Sequence, residues 1–128
     1  MTDLKTVTVA TSDLDAAVGA FRASFGLPLA RSAQDAAAET RSAFLGIGVA
    51  EIEMTSPSAA DAPLARVLAE RGGGLHQLVL EVDDLDRARD ALAARGIELS
   101  LGLRPDGRRG GWLDPGRTHG VPIVLVGR

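Results

Sequence analysis

Apolar and polar positions alternate over residues 4–10, with Val7 and Val9 on one side and Thr6, Thr8 and Ala10 on the other, so this segment predicts a half-buried strand. The period then changes. Leu14, Ala17, Val18, Phe21 and Phe25 follow the i, i+3, i+4, i+7 spacing of a helix lying on a sheet, with Ser12 or Asp13 as the N-cap and Gly26 as the stop. Short strands follow near residues 27–31, 41–47 and 49–55, and Gly46 and Gly48 serve the hairpin between the last two. A linker over residues 58–73 carries a short helix at 63–71, bounded by Pro57 and the run Gly72-Gly73-Gly74. The second half repeats the order with a strand at 75–82, a helix at 84–95, and strands near 97–101, 111–113 and 121–126.

The repetition extends to residue identity. TVTVATSDLDAAVGAFRASFGLPL at residues 6–29 matches QLVLEVDDLDRARDALAARGIEL at residues 77–99 with an offset of 71 (77 minus 6). Asp13, Leu14, Asp15, Ala17 and Ala20 recur as Asp84, Leu85, Asp86, Ala88 and Ala91. Both Asp15 and Asp86 fall in the first turn of a helix, where a carboxylate meets the positive end of the dipole, so they read as structural residues. Each half is a β-α-β-β-β module, residues 1–57 and 74–128 of a single α+β domain spanning 1–128. A four-stranded mixed sheet with its helix on one face leaves the other face bare, so a cleft between the modules is the expected ligand site.

Strand parity selects candidates for that site. If Val7, Val9, Ile52, Met54, Leu78, Leu80, Val82, Ile123 and Leu125 pack under the helices, the alternate positions face the other way. Those are Thr6 and Thr8, Glu51 and Glu53, Gln77, Val79 and Glu81, then Pro122, Val124 and Val126. Glu51 and Glu81 suit a solvated strand end. Glu53, Thr6 and Gln77 are harder to assign to solvent, because Thr6 and Gln77 hold equivalent places in the repeat. A basic loop, Arg104-Pro105-Asp106-Gly107-Arg108-Arg109-Gly110-Gly111, offers guanidinium groups to a phosphate or carboxylate, or is a solvated hairpin tip. Trp112 beside it walls the cleft or plugs a dimer contact.

Composition narrows the function classes. The chain has 128 residues, 45% hydrophobic and 24% charged, which fits one globular core. It has no cysteine, which excludes a disulfide scaffold, a cysteine zinc site and a cysteine nucleophile, and fits a reducing cytoplasm. No apolar run approaches the ~20 residues of a bilayer span, and the first ten residues alternate where a signal peptide would be continuously apolar. The net charge of −3 and four aromatic residues (Phe21, Phe25, Phe44, Trp112) disfavour a nucleic-acid surface, leaving a small molecule as the expected partner.

Four segments together resemble the vicinal oxygen chelate superfamily, which joins glyoxalases, bleomycin-resistance proteins and dioxygenases, in its methylmalonyl-CoA epimerase-like branch. They are the opening TVTVATSDLDAAVGAFRASFGLPL, EIEMTSP at 51–57, GGLHQLVLEVDDLDRARDALAARGIEL from Gly73, and WLDPGRTHGVPIVLV from Trp112. The resemblance implies paired modules forming a cupped mixed sheet with helices outside, a homodimer, and a divalent metal held by side chains from four strands. In such proteins the metal polarises a carbonyl or binds an enolate oxygen while a carboxylate moves the α-proton. The four metal-bearing positions fall on Thr6, Glu53, Gln77 and Val124, and a proton-moving glutamate of the epimerases falls near Ser42.

Only Glu53 among these is a strong ligand, and a divalent catalytic ion wants about three imidazole or carboxylate ligands. The expectation is therefore no metal and no cofactor; the alternative is a divalent ion at Glu53 with His76 or Gln77. Parity sends His76 under the helix unless a bulge turns it inward, and His119 reads as a loop residue. The leading functional reading is a metal-independent, glyoxalase- or epimerase-like protein binding or acting on a carbonyl-bearing or acidic small molecule. Glu53 is its catalytic or polar group, and Thr6, Thr8, Gln77, Val79, Val124, Arg108, Arg109 and Trp112 contact the ligand. Two alternatives stand beside it. One is a non-catalytic sequestering protein of the bleomycin-resistance type, and the other a metal-dependent epimerase or lyase on an acyl-CoA or 2-oxo substrate.

Overall fold

The structure is a computed structural model that describes residues 2–104 and 107–128; Pro105 and Asp106 of the basic loop lie outside the described residues. It is a mixed α+β fold of eight strands and three α-helices, in the order β1 (Thr2–Ala10), α1 (Leu14–Phe25), β2 (Leu29–Asp35), β3 (Thr40–Ile47), β4 (Ala50–Pro57), α2 (Pro63–Arg71), β5 (Gly74–Val82), α3 (Leu85–Ala93), β6 (Leu99–Leu103), β7 (Arg109–Leu113) and β8 (Ile123–Gly127). A short 3-10 turn at Pro115–Thr118 precedes β8. Among the described residues no helix is long and apolar enough to cross a membrane. The chain forms two compact units, one of Val7–His76 and one of Gln77–Arg128 with the residues up to Thr6, so the division passes through β1.

In the Val7–His76 unit the strands hydrogen-bond in the order β2-β3-β4-β1, with β2 at the edge. Its core gathers Leu14, Ala43, Leu45 and Met54, with Val9, Ala17, Val18, Phe21 and Ile52 packed against them. These are the helix stripe and one parity of the strands. Asp13 caps α1 by accepting a hydrogen bond from the Ala16 amide at 3.1 Å, and Gly26, at φ 65°, ends it in the left-handed conformation that glycine adopts without a Cβ penalty. β3 and β4 form a regular antiparallel hairpin closed around Gly48 at φ 59°.

In the Gln77–Arg128 unit the order is β1-β5-β8-β7-β6, with β5 and β8 parallel and β7 antiparallel to both of its neighbours. Val82, Leu85, Leu99 and Leu125 form its helix-packed core, flanked by Leu80, Ala88, Leu92, Leu101, Leu113 and Ile123. Asp84 caps α3 from the same place in the repeat as Asp13, accepting from the Arg87 amide at 3.1 Å. α3 stops at Ala93, two residues short of the expected end. Its last turn tightens there into i→i−3 bonds from Arg95 to Leu92 and from Gly96 to Ala93. β8 begins at Ile123 and not at residue 121, because Pro122 has no N–H to give and contributes only its carbonyl, to the Leu78 amide at 3.0 Å.

The tightest approach in this unit is between β7 and β6. A Cβ built on Gly111 would lie 2.7–2.8 Å from three side-chain carbons of Leu99, itself 5% exposed. Gly111→Ala is expected to destabilise the fold by about 1–3 kcal/mol through overpacking, read as a lower denaturant midpoint with unchanged m-value, whereas alanine at the open position Gly19 lacks this clash.

Candidate functional site

The sheet face of the Val7–His76 unit that turns away from α1 is set by the register of β2, β3 and β4. Arg31 pairs with Phe44, and Phe44 with Glu53, so these three side chains form a row across adjacent strands. Packing Ile52 and Met54 against α1 forces Glu51, Glu53 and Thr55 to this opposite side. Glu53 is half-buried, and both of its carboxylate oxygens are engaged. Thr8 Oγ1 donates to Oε1 at 3.1 Å and Ser42 Oγ donates to Oε2 at 2.9 Å. Thr8 is 2% exposed and Ser42 7%, so the two hydroxyls hold the carboxylate from positions that cannot easily move. Each carboxylate oxygen can accept a second hydrogen bond, which leaves Glu53 a fixed acceptor with spare capacity.

Glu51, two residues along the same strand, belongs to a different arrangement. Arg31 grips it with both terminal nitrogens, Nη2 donating to Oε1 at 3.0 Å, while the guanidinium lies 3.9 Å from the centre of the Phe44 ring. Glu81 likewise pairs with Lys5 and Arg128. Both glutamates are thus ion-paired and largely covered, where a solvated strand end was expected, and Glu53 differs from them in having hydroxyl partners only.

The other singled-out residues fall in the second unit. Val79 pairs with Val124, and Val124 with Trp112, giving an apolar row across β5, β8 and β7; Val79 and Val124 are 1% and 3% exposed. The Trp112 ring lies over Gly102 and Gly110, whose Cβ positions would sit 3.3 and 3.4 Å from it, so the tryptophan covers its own hairpin. Thr6 is buried and Gln77 half-buried. Arg109 forms a two-pronged ion pair with Asp86, at 2.8 and 3.3 Å, which holds the Asp86 carboxyl below its ordinary value. Arg108 is exposed, and its backbone carbonyl closes the loop by accepting from the Arg104 amide at 2.7 Å. Ser42 is the residue that sequence reasoning passed over as a participant. The hairpin register, which sets it diagonally from Glu53, is the signal that could have found it.

His76 is half-buried, and its pKa lies below the ordinary 6.5 because burial disfavours the imidazolium; the Glu53 carboxylate pulls it up and Arg71 pushes it down again. His119 sits outside any strand, at φ 55° beyond the 3-10 turn, in agreement with its loop assignment.

Two expectations follow. Removing one hydroxyl, Thr8→Val or Ser42→Ala, should lower stability by about 1–2 kcal/mol in denaturant titration, the worth of a hydrogen bond to a partly buried charge. His76 binds protons less readily folded than unfolded, so its contribution is complete above pH 6.5 and is lost as the pH falls below that value. Wild type should therefore lose more stability than His76→Asn between pH 6.5 and 5, measured as the difference between the two unfolding curves.

A family model described as the Glyoxalase/Bleomycin resistance protein/Dioxygenase superfamily matches residues 6–113. The mitochondrial methylmalonyl-CoA epimerase of Dictyostelium discoideum is 25% identical over 124 residues, covering 96% of this chain and 69% of that protein. The crystal structure of methylmalonyl-CoA epimerase from Mycobacterium tuberculosis superposes with a TM-score of 0.86 at 28% identity, covering 97% of this chain and 86% of that one. A methylmalonyl-CoA epimerase solved in complex with methylmalonyl-CoA and NH4+ superposes at 0.87 with 25% identity, covering 99% and 94%. The match runs from the first strand through both helical stripes and the β6–β7 hairpin, and on that ground the chain belongs to the Glyoxalase/Bleomycin resistance protein/Dioxygenase superfamily.

Proposed function

We propose that the protein binds a small carbonyl-bearing or acidic organic molecule, and acts on it without a metal ion, using Glu53 as the hydrogen-bonding or proton-accepting group. The observation that carries this reading is the Glu53 carboxylate, held on both oxygens by the Thr8 and Ser42 hydroxyls and left with one free acceptor position on each. A base must present its lone pair in a fixed direction to the proton it takes, and two buried hydroxyls remove the rotation that an exposed glutamate keeps. In this reading a C–H proton next to the carbonyl passes to a free position on Glu53.

The donor chemistry supports metal independence. The resemblance directs an ion to Thr6, Glu53, Gln77 and Val124, which present a hydroxyl, a carboxylate, an amide and an isopropyl group. A divalent ion would also have to displace the hydroxyl donors from Glu53 or share its oxygens with them. Among the described residues no three His, Cys, Asp or Glu side chains gather in a metal-binding group. The residues at these positions do not fit a catalytic divalent ion.

The substrate class is supported by the relatives, which are named for methylmalonyl-CoA, one of them solved with that thioester bound. A second reading, sequestration without chemistry, is favoured by one observation: near where the resemblance puts the proton-moving glutamate of the epimerases stands Ser42, which donates to Glu53. α-Proton exchange of methylmalonyl-CoA in D2O, followed by NMR with EDTA present, separates the readings. Saturable binding with chelator-insensitive exchange, reduced at least tenfold in Glu53→Gln, is the expected result. Binding with no exchange above the buffer rate selects sequestration. Unchanged binding and exchange in Glu53→Gln, or exchange that EDTA abolishes and metal restores, overturns the proposal.

A further inference from the structure

Helix α1 carries a glycine near its centre, Gly19, where a Cβ would meet no atom within 4 Å. Glycine in a helix interior lowers stability relative to alanine, and close packing inside the chain does not account for it here. The open space beside Gly19 is a cavity of about 670 Å³ between α1 and the helix-facing side of β2 and β3. Asp15, Gly19 and Arg22 form its helical wall, and Ser32, Gln34 and Arg41 its strand wall. The pairings Ser32 with Ala43 and Gln34 with Arg41 put these groups on the side of the sheet opposite Glu53.

The charges of this cavity differ from those of the chain. Two arginines and one aspartate line it, in a protein whose net charge is −3. The Arg22 side chain has no hydrogen-bond or ion-pair partner among the described residues. Arg41 reaches Asp15 at 3.8 Å, and the Asp15 side chain is 91% exposed, so water screens that pair heavily. Leu14, Val18 and Ala43 give the same cavity an apolar floor. Guanidinium groups above an apolar surface recognise an oxyanion attached to hydrocarbon.

We infer that this cavity binds a small organic anion, a carboxylate or phosphate monoester on a short apolar chain. Its head sits between Arg22 and Arg41, and its chain lies over Leu14 and Val18 in the space that Gly19 leaves open. The site is independent of the Glu53 reading, since the two lie on opposite faces of the same strands.

Octanoate and octyl phosphate titrated into the full chain, followed by amide NMR, test it. Saturable shifts at Gly19, Ser32 and Ala43 are expected from at least one of the two anions, with octanol at least tenfold weaker and the affinity falling as salt rises. The double variant Arg22→Gln, Arg41→Gln should weaken binding at least tenfold, and Gly19→Leu, which places a side chain in the cavity where the ligand chain would lie, should abolish it while thermal unfolding shows the fold intact. Glu53→Gln should bind the anion as wild type does. If neither anion moves these amides, if octanol matches the anions, or if the double arginine variant keeps wild-type affinity, the inference is overturned; the surface arginine substitutions decide the matter even if Gly19→Leu does not fold.

Discussion

The pleat of a β-strand sends successive side chains to opposite faces, and a helix laid on one face commits every second residue to it. Val9, Ile52, Met54, Ala43 and Leu45 are used in this way under α1. Their neighbours Thr8, Glu53 and Ser42 have no choice but the other side, where they meet one another. A slip of one residue in the β3–β4 register would drive the glutamate into the Leu14–Leu45 core and the methionine out of it, so the geometry of the carboxylate and the packing of the helix are enforced by the same contacts.

The consequence for Glu53 is electrostatic as well as geometric. A carboxylate drawn partly out of water needs compensating donors, and side-chain hydroxyls supply them without bringing a positive charge. Glu51 and Glu81 illustrate the other solution, with arginine and lysine partners that cancel the charge outright. Three glutamates on this parity of the strands therefore have two fates. The one with hydroxyl partners has no cation bound to it among the described residues.

Much of this was legible in the sequence because it depends on local periodicity. The two helical stripes, their aspartate caps, the glycine that ends α1 and the parity of the long strands required no knowledge of tertiary contacts, and Val79 and Val124, which share a parity, pair across β5 and β8. The strand ends were less legible: β2 runs over Leu29–Asp35 and not 27–31, because pairing with β3, interrupted by an irregularity between Leu29 and Arg31, decides where an exposed edge strand stops. Pairings between distant residues were not legible at all. Arg109 turning to Asp86 and Arg31 stacking on Phe44 each join segments whose register is fixed only on folding, whereas Ser42 reaching Glu53 follows from the register of the β3–β4 hairpin.

Asp13 and Asp84 perform the same act at the same length, 3.1 Å, one repeat apart. Such a residue governs how a helix begins and does not touch the sheet face that carries Glu53. The letters that the two modules share therefore report a common way of starting a helix, and the face that carries Glu53 is specified by residues outside that shared set.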